Sequence, residues 1–365
     1  MGIESLFTPF TLRNLSLRNR FVMTPMSRYS CPGRLPNDEL VAYYRRRAES
    51  QVGLVMTGAA GIDRPAANNS IVLADFRPEC YPVWKRGVDA VHAAGGSIGI
   101  QLWHAGALFN HPPEYRPAPL ESPSGLESRG KRVGEPMTEA AIDEVIAAFA
   151  NAAAAARGLA FDLIEIHAAH GFLIDQFFWA ETNLRTDQWG GTSVGERARF
   201  GAAVVGAVRA AVGPDMPVSV RISQWKEQDY DAKIARSPQE LEAWLAPLID
   251  AGADVFSCSQ RRFWTPEFAG SGLNLAGWVK KVTGKPTVTV GSVGLDTEVM
   301  SFFREGAPAR PASLDRLVER FERGEFDLVA VGRALIAEPA WVLHVRDGTY
   351  QNMQPFDRAK ADIVY

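Results

Sequence analysis

Cysteine is scarce in this 365-residue chain, and Cys31, Cys80 and Cys258 stand far apart and are odd in number. That excludes a disulfide framework and the clustered spacing of an iron–sulfur site, and it fits a reducing cytoplasm. Long apolar runs are missing, so no membrane span is expected. Met1 to Arg20 is broken by charges and a proline, so no secretory leader is expected. With 39 Lys+Arg against 42 Asp+Glu the formal net charge is −3, which offers no basic face to nucleic acid. What is present is a 46% hydrophobic composition, enough to bury a large core. These bounds describe a soluble cytoplasmic protein acting on small molecules.

Strand and helix signals alternate along the chain. Phe7 to Arg20 reads as a short hairpin about Asn14, capping the floor of a barrel. Strands are expected at Phe21–Met23, Leu54–Thr57, Ser97–Trp103, Asp162–Ile166, Val218–Ile222, Val255–Ser257, Thr287–Val290 and Asp327–Val331. Helices are expected between them, at Asp38–Gln51, Pro78–Ala94, Thr138–Arg157, Gly195–Val212, Ser237–Ala251, Leu273–Thr283 and Leu314–Arg323. Phe109–Pro136 has no periodicity and reads as a long functional loop. Eight such units with no linker predict one (β/α)8 barrel over residues 1–365.

The chain is organised around Asp162–Phe200. Its first residues form a buried strand, and His167 and His170 come where that strand is expected to give way to a loop. Ligands bind at the C-terminal ends of barrel strands, because loops there vary without disturbing the core. If the backbone turns helically after His167, the i, i+3 spacing aims both rings at one point, where two N–H donors serve one oxyanion. Glu165, His167 and His170 could also be read as metal ligands, but the chain supplies no third ligand of suitable spacing. Two later turns speak of phosphate. Gly291-Ser292 comes directly after the seventh strand and Gly332-Arg333 after the eighth, the recurrent phosphate position of barrels. Glycine admits backbone N–H groups to phosphate oxygens, and Arg333 adds a charge-assisted contact.

The His-x-x-His pair, Asp175-Gln176-Phe177, Asn183-x-Arg185-x-Asp187 and Gly190-Gly191 closely resemble the signature of the old yellow enzyme family, FMN-dependent ene-reductases. The resemblance runs from Leu6 to Trp341. It implies FMN as cofactor and NAD(P)H as hydride donor. It assigns the FMN phosphate to Gly291, Ser292, Gly332 and Arg333, and the segment beneath the flavin to Thr24, Pro25, Met26 and Ser27. Ala59 and Gln101 match positions at the ring edge, and Arg221 the cation beside flavin N1. For Arg221 the alternative is a salt bridge across the barrel mouth. Trp103 is expected as a wall over the substrate, with Tyr29 and Phe172 in the same pocket. Trp264, in the Gln260–Trp264 run, is expected on a lid or, equally, on a subunit contact of a homo-oligomer.

Two departures matter. The proton-donating tyrosine of the family is Phe172 here, which has no proton to give, and Ala107 replaces an arginine found in similar relatives. The implied reaction is ping-pong. NAD(P)H reduces FMN at N5, and an α,β-unsaturated carbonyl or nitro compound, its oxygen held by His167 and His170, then takes the hydride at its β-carbon. Water or the Tyr29 hydroxyl is left to supply the proton. The alternatives are an amine dehydrogenase or N-demethylase with Trp103, Trp225 and Trp264 as an aromatic cage, a flavin-binding protein of low turnover, and a metal-dependent hydrolase. The short tail after the last helix, ending at Tyr365, points away from longer iron–sulfur relatives.

Overall fold

The computed structural model describes residues 2–108, 118–299, 301–302 and 306–365. Eight parallel strands close on themselves: β1 (Phe21–Met23), β2 (Leu54–Ile62), β3 (Ser97–Trp103), β4 (Leu163–His170), β5 (Val218–Lys226), β6 (Val255–Ser259), β7 (Thr287–Val290) and β8 (Leu328–Val331). Closure is made by β8 pairing with β1 through Ala330↔Val22 and by β1 pairing with β2 through Met23↔Val55. Helices α1 (Asp38–Glu49), α2 (Tyr81–Ala93), α3 (Glu139–Gly158), α4 (Arg199–Val212), α5 (Pro238–Asp250), α6 (Leu275–Thr283) and α7 (Asp315–Glu322) wrap the outside. This is the (β/α)8 barrel expected. Polar caps begin the helices, as where Thr138 accepts from the Ala141 N–H and Ser237 from the Glu240 N–H.

Strand alternation sorts the barrel into layers. On β4, Ile164 and Ile166 join the outer core against the helices. Leu163 faces inward into an apolar floor with Val22, Leu54, Met56 and Val255, closed below by Leu15 and Leu17 of the hairpin. The next inward positions on the same strand are Glu165 and His167, so the interior turns polar toward its C-terminal end.

Four local expectations change. β4 runs on to His170, so the two histidines stand on one strand and its end and not on a helical turn. β2 and β5 are likewise longer, which puts Ala59 inside a strand. The helix expected at Gly195–Val212 is two, Val194–Arg197 and α4, joined at Ala198. Within Phe109–Pro136, residues 109–117 lie outside the described residues, while Leu126–Ser128 and Lys131–Arg132 pair as a small hairpin.

A buried network ties the loop after β3 to the rest. The Gly106 N–H donates to His104 Nδ1 at 3.0 Å, so His104 Nε2 carries the proton and donates to Glu121 at 2.7 Å. The Arg64 Nε donates to both Glu121 oxygens at 2.8 Å. Burial alone would raise the Glu121 carboxyl, but the hydrogen bonds from His104 and Arg64 hold it down at about 2.

This packing sets expectations for stability. Phe200 is fully buried with its ring centroid 4.0 Å from that of Phe177. Phe200→Ala should therefore cost about 3–5 kcal/mol in urea unfolding. Glu121 is ionised more readily folded than unfolded, so its contribution, roughly 3 kcal/mol, is complete above about pH 4.5 and lost as the pH falls to about 2. The acid limb of the wild-type stability profile should be shallower in Glu121→Gln, and an unchanged limb would contradict the network.

Candidate active site

The inner face of β5 places a guanidinium at the centre of the barrel mouth. Arg221 is 5% exposed and pairs in register with His167 on β4 and Ser257 on β6. Its Nη1 donates to Thr24 Oγ1 at 3.0 Å and Ser257 Oγ at 3.1 Å, and its Nη2 to Ser259 Oγ at 3.4 Å. Burial lowers the basicity of the group, and the Glu165 charge restores part of it. No carboxylate bridges the barrel mouth to it among the described residues, so the salt-bridge alternative is not what the structure contains.

His167 and His170 meet at a ring-centroid distance of 5.1 Å with their planes 81° apart. A helical turn is not what joins them. His170 has φ +66 and Gly171 φ +84, a left-handed reversal at the strand end that swings the second ring back beside the first. That reversal is held firmly. The His170 N–H donates to Ser223 Oγ at 2.9 Å, and the Gly171 N–H to Asp175 Oδ2 at 2.6 Å. Asp175 and Lys226 form a fully buried ion pair at 2.8 Å beneath it. His170 Nε2 lies 2.8 Å from Ser259 Oγ, and its ring packs on Trp225 at 4.4 Å. His167 Nδ1 is buried and has no protein partner among the described residues. Burial and the neighbouring Arg221 charge push His167 well below the ordinary imidazole range. Burial, His167, Arg221 and Lys226 do the same to His170. Both rings are therefore neutral near pH 7.

A cavity of about 210 Å³ opens beside this pair, lined by Thr24, Met26, His170, Arg221, Trp225 and the loops after β6, β7 and β8. Gly291, Ser292, Gly332 and Arg333 all line it. Gly291 has φ +138, and a Cβ there would come within 2.5 Å of the Gln260 carbonyl oxygen. Ser292 has φ +51, an uncommon value for a residue with a side chain. The Arg333 guanidinium donates to backbone carbonyls of Glu298 and Thr297, and among the described residues it has no carboxylate hydrogen-bond partner. Burial lowers it to about 10, so it remains a cation at neutral pH. A half-buried arginine held by carbonyls between two tight turns has the chemistry to receive a phosphate. FMN, which carries a phosphate, fits this donor set.

The remaining expected residues fall around that centre. Pro25 lies beneath, lining the barrel floor cavity with Thr24. Ser27, Ala59 and Tyr29 line a separate small cavity with Leu73, and Tyr29 is 61% exposed there. Gln101 is buried one layer down, where its Nε2 donates to Glu165 at 2.8 Å. Trp103 and Phe172 meet edge to face at 5.3 Å in an apolar cluster with Leu73, Ala105 and Ala59, and Phe172 also touches the His167 ring at 4.9 Å. Trp264 is half-buried, packs edge to face on Phe263 and against the outer core, and is not among the residues lining this cavity, whereas Trp225 is. Ser259 joins the site without having been expected there, while Trp225 was expected only in an aromatic cage and Glu165 only as a metal ligand. The signal is present in Ser219, Arg221 and Ser223, and in Ser257 and Ser259: polar residues at every second position of buried strands.

The sequence pattern describing the NADH:flavin oxidoreductase / NADH oxidase family matches residues 5–308. The chain is 40% identical over 219 residues to a metal reductase of Desulforamulus reducens, covering 60% of this chain and 32% of that protein. It is 30% identical to an NADH oxidase of Thermoanaerobacter brockii, covering 94% of this chain and 51% of the relative. The chain thus spans a third to a half of the length of these two. An NADPH dehydrogenase of Listeria welshimeri is 36% identical, over 92% of this chain and 93% of its own. Among solved structures, morphinone reductase in complex with tetrahydroNAD superposes with a TM-score of 0.80 at 26% identity, over 98% and 94% of the two chains. No helix of the described residues is long and apolar enough to cross a membrane. With the family pattern extending through seven of the eight strands, and the phosphate turn after β7 inside it, the chain belongs to the NADH:flavin oxidoreductase / NADH oxidase family, the FMN-dependent old yellow enzyme group.

Proposed function

We propose that the chain is an ene-reductase that uses NAD(P)H to reduce activated C=C bonds of α,β-unsaturated carbonyl or nitro compounds by alternating half-reactions. Bound FMN would supply hydride transfer at its N5 between the nicotinamide and the substrate. Gly291, Ser292, Gly332 and Arg333 would hold its phosphate, and Thr24, Met26, Gln101 and Arg221 its ring system, with Pro25, Ser27 and Ala59 bordering them.

The observation that carries this reading is the unpartnered, buried His167 Nδ1 beside the His170 ring, within the field of Arg221. A neutral imidazole offers one N–H, and with His170 Nε2 at Ser259 Oγ the two adjacent rings would hold a substrate oxygen chiefly through His167 Nδ1. A carbonyl or nitro oxygen placed there is polarised, and the Arg221 charge favours the negative charge that grows on it. Trp103, Phe172, Leu73 and Ala105 form an apolar wall that excludes water and orients the rest of the substrate. Phe172 gives no proton, and Tyr29 lies exposed in its own cavity, so the α-carbon proton comes from solvent. An aromatic cage for amine oxidation would need Trp264, which packs half-buried on Phe263 outside the cavity, so enone reduction is preferred.

His167→Ala should retain FMN, weaken binding of phenolic ligands at least tenfold and slow substrate reduction by about 10²-fold or more, the scale of one lost oxyanion donor. Because both imidazoles are held neutral, the wild-type profile of kcat/KM should show no inflection near pH 6.5. Enone reduction by His167→Ala at the wild-type rate would refute the assignment.

A further inference from the structure

Glu165 has no part in the roles assigned so far, yet the barrel is built around it. It lies one inward position below His167 on β4 and is 3% exposed. Its register partners are Gln101 on β3 and Ser219 on β5. Gln101 Nε2 donates to its Oε1 at 2.8 Å, and Ser219 Oγ to its Oε2 at 3.0 Å. The Ser257 hydroxyl accepts from Arg221 at 3.1 Å, and the Arg221 charge acts on Glu165 across the same layer. Burial pushes the Glu165 carboxyl up, and the Arg221 charge and the hydrogen bonds from Gln101 and Ser219 act against that and favour the carboxylate. Below it the cavity is apolar, lined by Leu15, Val22, Met56 and Val255. A charge kept at the edge of such a floor has little structural value of its own, since an apolar residue would pack there at least as well.

Its effect is on the two residues above. A carboxylate accepts only, so the Gln101 amide must turn its nitrogen toward Glu165, leaving its carbonyl oxygen at the opposite end. The same negative charge opposes Arg221 from one layer below. We propose that Glu165 is a positioning residue for bound FMN, which fixes the polarity of the Gln101 amide and moderates the Arg221 charge, and so keeps the oxidised and reduced cofactor held with comparable affinity. This rests on the FMN reading of the site.

The test is a titration of apoprotein with oxidised and with chemically reduced FMN, together with the midpoint potential of the holoprotein, in wild type, Glu165→Gln and Glu165→Asp. In Glu165→Gln the Gln101 amide is free to flip and Arg221 is unopposed. The ratio of oxidised to reduced dissociation constants should rise about tenfold, equivalent to a positive shift of roughly 30 mV for a two-electron couple. Glu165→Asp should restore most of the wild-type ratio. If Glu165→Gln does not fold, Ser219→Ala, which removes one donor from the carboxylate, should shift the ratio the same way by a smaller factor. A wild type that binds no FMN would overturn the cofactor reading itself. A wild type that binds FMN beside variants with unchanged ratio and potential would overturn the role of Glu165 alone.

Discussion

A full positive charge inside a closed barrel is the constraint on which this structure depends. Arg221 is 5% exposed, and a guanidinium there is costly to remove from water. The barrel answers with hydroxyls at matching register positions, Thr24, Ser257 and Ser259, and with the Glu165 carboxylate one layer below. The same charge then dictates the chemistry above it. It helps to keep His167 and His170 neutral, so they serve as hydrogen-bond donors and not as cations. In the proposed reaction it would also place a positive field where an oxygen of the substrate gathers charge. One buried arginine thus links packing, protonation and reactivity.

The second constraint is the reversal at His170. Two imidazoles on one extended strand do not converge unless the backbone turns back, and φ +66 at a non-glycine residue does this at an energetic cost. Asp175, Lys226, Ser223 and Trp225 are what hold it in place, through an ion pair, two backbone contacts and a stacked ring. Polar groups drawn from two separate strand ends thus converge on the position of one ring.

Much of the fold is legible in the sequence, because buried parallel strands read as short apolar runs ending in small residues, as at Thr287–Val290 before Gly291. The phosphate turns are legible for the same reason, since glycine and arginine directly after two adjacent strands have few other uses. The histidine pair is legible as a pair, but its geometry is not. Strand and helical turn both bring residues 167 and 170 near one another, and only the strand pairing to Lys226 and the reversal at His170 decide between them. Trp264 shows the limit of composition. An Arg-Arg-Phe-Trp run reads as exposed, yet Phe263 is 4% exposed and carries Trp264 onto the outer core. In the sequence Glu165 reads only as a metal ligand, because a carboxylate beside histidines suggests a metal before it suggests a counter-charge for an arginine on the next strand.

The most direct test of the central claim is the visible spectrum of the purified protein, monitored through anaerobic addition of NADPH and then of cyclohexenone. A protein that is yellow, bleaches with NADPH and recovers its colour on addition of the enone would carry out both half-reactions as proposed. A protein that is colourless and takes up no added FMN, or one whose bleached form is not reoxidised by the enone, would contradict the account.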